Sequence, residues 1–274
     1  IKVRRGSLTL QGATAAGVRA APLRVRLDGD FSSRYQRGEQ VAEQLAVVTA
    51  TRAMLLSEAA ANALPGIDLQ SEAIVLGSSR YPNPLHMLNE LLDSRQDVET
   101  SIIHGDLNLQ NVLVDKITGF AWLIDFGETR RGPVLFDLQR LEVQVLSKLL
   151  PARIAQSQLQ PRHVFLLLEA LHTAMPAEIS PIADLQEPYT LLVTLRQLAQ
   201  QYLVDNREWA EYYRGLILVL LGALKYDELD AAARAIAFLS AAALTRLLEQ
   251  PLFAPAHLNE QPPAPGESPF KGLH

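Results

Sequence analysis

Cysteine is absent from the 274 residues. Neither a disulfide framework nor a thiolate metal site can be built from this chain, which fits a reducing compartment; a cytoplasmic location is expected. Aromatic residues are scarce, 6% against 48% hydrophobic residues in all. The core must therefore be aliphatic, and the abundance of Leu and Ala favours helices. Positive charge is not in excess. The formal net charge of −5 argues against a general grip on nucleic acid, which needs a basic surface. Long apolar runs are also missing: Leu216 to Leu224 falls far short of the roughly 20 residues of a membrane helix. No signal-peptide pattern opens the chain, and no membrane partner is expected. The first residue is Ile1 and not Met, which reads as a piece of a longer polypeptide with covalently linked neighbouring domains.

Along the chain, SLTL and LRVRL within residues 1–30 have strand-like content, separated by Gly12, Gly17 and Pro22. Val41, Leu45, Val48, Leu55 and Leu56 form one helical stripe, so a helix is expected from Glu39 to Leu64, ended by Pro65-Gly66. Residues 66–84, with Pro82 and Pro84, read as a loop or broken segment, and 85–92 as an amphipathic helix. Ile102-Ile103 reads as a short buried strand. Val112–Val114 and Phe120–Ile124 read as the arms of a hairpin that turns at Lys116–Gly119. Beyond Pro133 the apolar spacing is helical, first at Leu135, Leu138, Leu141, Val145 and Leu149. Further helices are expected near 161–174, 184–204, 207–224 and 228–249. Asp205 and Glu208 have the spacing of a capping box. Residues 251–274, rich in proline, read as a linker. The expected domains are thus residues 1–30, residues 31–250 and a tail.

The chemistry concentrates between Ser101 and Leu141. His104-Gly105-Asp106 is followed by Asn111 and then by Asp125-Phe126-Gly127. Phosphoryl transfer from a nucleotide needs one carboxylate to orient a hydroxyl, and an amide oxygen and a second carboxylate to hold magnesium. Folding the hairpin about its turn puts Asn111 opposite Asp125 at the open end, so two oxygen donors share one mouth. Magnesium would complete its shell there with water and phosphate oxygens.

HGDLNLQN followed by LIDFGE resembles the catalytic segment of the aminoglycoside phosphotransferase family, which includes choline-kinase-like enzymes. The resemblance extends through Phe136-Asp137-Leu138 and covers about 40 residues. A phosphotransferase-like domain of this kind also occurs in bacterial multidomain "ternary complex associated" proteins. The resemblance implies an α+β, protein-kinase-like fold with a mostly helical C-terminal lobe and a catalytic hairpin. It implies ATP- and magnesium-dependent phosphoryl transfer to a hydroxyl of a small molecule or a protein. Asp106 would be the catalytic carboxylate, and Asn111 and Asp125 would bind magnesium and the nucleotide phosphates. His104 would brace the catalytic loop, and Asp137 would accept hydrogen bonds from that loop's backbone.

The N-terminal lobe of that pattern is truncated or absent. Lys2 is the nearest match to its strand lysine, no paired helix glutamate follows, and Gly6, Gly12 and Gly17 are too widely spaced for a phosphate-covering loop. The alternative is a catalytically inactive, kinase-like interaction module of a bacterial multidomain protein. Nucleotidyl transfer would use the same metal residues. Elsewhere the plain readings are structural. Glu128, Arg130 and Arg131 read first as a solvated loop, with contact to substrate or phosphate as the alternative. Arg24 and Arg26 read as strand-face charges, Trp122 as packing and Trp209 as an amphipathic anchor. His163 and His172, nine residues apart, do not have a one-face metal spacing.

Overall fold

The computed structural model describes residues 52–76, 79–172, 178–205 and 208–248, together with the backbone of three short strands nearer the N-terminus. The architecture is α+β, mostly helical with small antiparallel sheets. Two compact units divide the chain, residues 1–51 and residues 52–274. In the first, β1 (Lys2–Arg4), β2 (Ser7–Leu10) and β3 (Leu23–Arg26) form an antiparallel sheet in that order. The expected helix from Glu39 is described only from α1 (Arg52–Ala63) onward. Its earlier part and the tail 251–274 lie outside the described residues.

The second unit corrects several expectations. Residues 66–84 are not a loop: β4 (Ala73–Leu76) and β5 (Ser79–Pro82) pair antiparallel, Ala73 opposite Pro82. Pro82 is tolerated because it ends its strand. The helix before the His-Gly-Asp segment, α2, is short (Leu88–Asp93). In β6 (Thr100–Ile103), Ile103 is buried but Ile102 is exposed, since successive side chains leave opposite faces. The hairpin β7 (Val112–Val114) and β8 (Ala121–Leu123) pairs Val112 with Leu123. Trp122 is not core packing; it is 52% exposed and lies beside exposed Phe120. Arg130 and Arg131 are not loop charges: β9 (Arg130–Pro133) pairs with β6.

The rest is helical: α3 (Leu135–Gln144), α4 (Leu150–Gln156), α5 (Val164–Leu171), α6 (Gln186–Gln200), α7 (Ala210–Ala223) and α8 (Ala231–Leu248). A π-turn over Val145–Leu149 joins α3 to α4. Pro151 stands just past it; a proline cannot donate to the carbonyl four residues back and crowds it, which a wider turn relieves. The Asp205/Glu208 spacing does not mark the start of α7. Trp209 is the N-cap of α7, without a side-chain capping bond, so the helix begins later than the spacing suggested. Trp209 itself is buried. Helix α8 has the length and apolar composition of a membrane span, but most of it is buried inside this unit. It packs on α1, α5, α7, β5 and the π-turn.

One buried polar network crosses this aliphatic core. Arg196 of α6 donates to Glu142 of α3 at 2.7 Å through Nη2, and both are essentially inaccessible. The Tyr212 hydroxyl donates to Glu142 at 2.7 Å, and Arg196 Nη1 reaches the Tyr213 hydroxyl at 3.3 Å. Burial opposes the Arg196 charge, yet Glu142 beside it leaves the guanidinium holding its proton more tightly than usual. Burial pushes the Tyr213 hydroxyl up to about 12 and raises Tyr212 well above its ordinary value, with Glu142 adding to the shift. Helices α3, α6 and α7 are therefore joined by one buried hydrogen-bonded network.

Candidate active site

The His-Gly-Asp loop runs from the end of β6 towards β7 and is held by one carboxylate. Asp137, in the first turn of α3, accepts from the His104 N–H at 2.6 Å and the Gly105 N–H at 3.0 Å. His104 is buried; its Nε2 lies 2.8 Å from the Ile124 carbonyl on the far arm of the hairpin, and its ring lies against Phe126. The loop and the residue preceding Asp125 are thus tied through one imidazole. Gly105 has φ +83, and a Cβ there would run into the Glu128 carbonyl and Arg130 Nη1. Only glycine meets both demands.

Asn108 shapes the next turn. Its Oδ1 accepts from the Gln110 N–H at 2.9 Å and the Asn111 N–H at 3.3 Å, and its Nδ2 donates to the Asp106 carbonyl at 3.1 Å. Asn111 is buried, and its Nδ2 donates to the same carbonyl at 2.9 Å, which leaves its Oδ1 as the atom able to face a cation. The hairpin register then brings the far strand back: the Ile124 N–H donates to the Asn111 carbonyl at 3.1 Å, next to Asp125. Asp125 is exposed and has left-handed backbone angles, φ 62 and ψ 63, uncommon for a residue with a side chain. Its carboxylate carries no hydrogen bond or ion pair among the described residues. Such strain concentrates where a side chain must be aimed.

Asp106 is partly exposed and ion-paired with Arg140 of α3, whose Nη1 donates to the Tyr226 hydroxyl at 3.0 Å. Arg140, Tyr226 and Asn108 were not singled out from the sequence. The available signal for Arg140 was its spacing: three residues after Asp137, it shares that residue's helix face. Glu128 and Arg131 are exposed, Arg131 donating to Thr100 Oγ1 at 3.1 Å. His163 and His172 belong to no metal cluster; among the described residues no three His, Cys, Asp or Glu gather as an ion site. The hard oxygens of Asn111 and Asp125 instead fit a cation such as magnesium, which keeps several waters and takes few protein ligands.

An α+β domain that ties a His-Gly-Asp loop to an Asn/Asp hairpin is the class these features define. The family model of ternary complex associated domain 9 matches residues 1–225, and the chain belongs to that family. No curated protein and no solved structure matches it.

Proposed function

We propose that this domain is a magnesium- and ATP-dependent phosphotransferase with a kinase-like catalytic lobe, acting on a hydroxyl of a small molecule or a protein. The observation that supports this reading is the pair of hydrogen bonds that ties the three segments together: Asn111 Nδ2 donates to the Asp106 carbonyl, and the Ile124 N–H, next to Asp125, donates to the Asn111 carbonyl. Asn111 Oδ1 and the Asp125 carboxylate would hold magnesium, which when bound neutralises charge on the nucleotide phosphates. Asp106 would orient the acceptor hydroxyl. The acceptor's hydroxyl oxygen would form the new bond to the γ-phosphorus as the bond from that phosphorus to the β–γ bridging oxygen breaks; ADP leaves, and the hydroxyl proton passes to Asp106 and on to water. Arg140 keeps one oxygen of that carboxylate occupied, so the other is the one available to the acceptor. His104 and Asp137 fix the loop and take no part in bond changes.

The test is calorimetric titration of MgATP into the full chain with its neighbouring domains, followed by phosphoryl transfer assays. Asp125→Ala is expected to weaken magnesium-dependent ATP binding about tenfold or more. Asp106→Asn is expected to lower transfer by ~10²–10⁴ while leaving nucleotide binding near wild type. Absence of any magnesium-dependent ATP binding sinks the proposal. A second reading, an inactive interaction module, draws support from the exposed apolar hairpin surface of Ile117, Phe120 and Trp122. It predicts that Asp106→Ala changes nothing in the cell.

A further inference from the structure

Arg130 is the least explained charge near the loop. It sits on β9 opposite Ile103 and is exposed to solvent. Its Nη1 donates to the Glu128 carbonyl at 2.9 Å, and its guanidinium lies 5.5 Å from the centre of the Phe136 ring. The same Nη1 abuts Gly105, the residue before Asp106. No carboxylate among the described residues pairs with it, whereas Arg140, Arg153, Arg196, Arg246 and Lys148 all have acidic partners. Its neighbour Arg131 leaves the opposite face of the strand and is bonded to Thr100. Holding an exposed arginine on a carbonyl and an aromatic face costs side-chain entropy that offsets much of what these weak contacts return in water. With one of its donors bound to a neutral carbonyl, the planar fork keeps others for a second partner.

We propose that Arg130 binds an oxyanion, a phosphate or carboxylate group, presented beside Gly105 and Asp106. The site itself stands on the geometry of Arg130; only the two sources of the anion rest on the phosphotransferase reading. One source is the terminal phosphate of the nucleotide. The other is an anionic group on the acceptor, which would make the acceptor an acidic hydroxyl compound.

The experiment titrates inorganic phosphate, MgATP and MgADP separately into the full chain, and phosphate also into the MgADP-loaded chain. The proteins are wild type, Arg130→Gln, Arg130→Lys and Arg131→Gln, each checked for folding by its melting curve. Arg130→Gln is expected to weaken at least one of these anions about tenfold or more. Arg130→Lys should fall in between, keeping the charge but losing the fork, and Arg131→Gln should stay within about twofold of wild type. Loss for MgATP without loss for MgADP assigns the terminal phosphate. Loss for phosphate on the MgADP-loaded chain, with both nucleotides unaffected, assigns the acceptor's group. The proposal is overturned if Arg130→Gln matches wild type or Arg131→Gln for every anion, or if wild type binds none of them. Arg130-dependent phosphate binding without any MgATP binding keeps the anion site and ends the phosphotransferase reading.

Discussion

At the scale of single residues, the loop is shaped by what cannot be placed in it. Gly105 has positive φ and lies against a carbonyl and a guanidinium. Gly105→Ala is expected to destabilise the domain by about 2 kcal/mol or more, from backbone strain and displaced neighbours together, and to lower MgATP affinity with it; chemical denaturation and calorimetry check both. The residue types of the cluster were legible because Asp106, Asn111 and Asp125 are close in sequence and their chemistry is distinctive. Arg140 was not, because a lone arginine on a helix usually faces water, and its partner lies 34 residues away. Arg130 reads first as a solvated loop charge, with a substrate or phosphate contact as the alternative, for a related reason. Its fixing contacts are a carbonyl and a ring face supplied by the fold, and no local spacing announces them.

Among elements, α3 carries most of the coupling. One end holds the His-Gly-Asp loop through Asp137, the middle reaches Asp106 through Arg140, and Glu142 is buried against α6 and α7. Breaking that buried pair leaves a charge without its partner. Glu142→Ala is expected to cost about 3–5 kcal/mol, while the double variant Glu142→Leu, Arg196→Met recovers much of the loss; urea denaturation of the three proteins checks it. The helices of the second half were legible because their apolar residues repeat at helical spacing. Short strands were harder. β4 and β5 were masked by prolines that in fact terminate the pairing, and β9, Arg-Arg-Gly-Pro, has no strand-like composition at all; its pairing with β6 comes from the chain's return past the loop.

For the whole molecule, the boundaries of the family match and of the core differ. The match ends at residue 225, yet α8, at Ala231–Leu248, lies against α1, α5, α7 and β5. A fragment of residues 52–225 is therefore expected to behave as an expanded, dye-binding state, and residues 52–248 to unfold cooperatively; near-UV circular dichroism and thermal scans separate the two. The same placement sets a schedule for biosynthesis. The central strut leaves the ribosome after the helices it covers, so those helices must wait with their oily faces uncovered. Nascent chains stalled before that point should be the ones that chaperones hold longest.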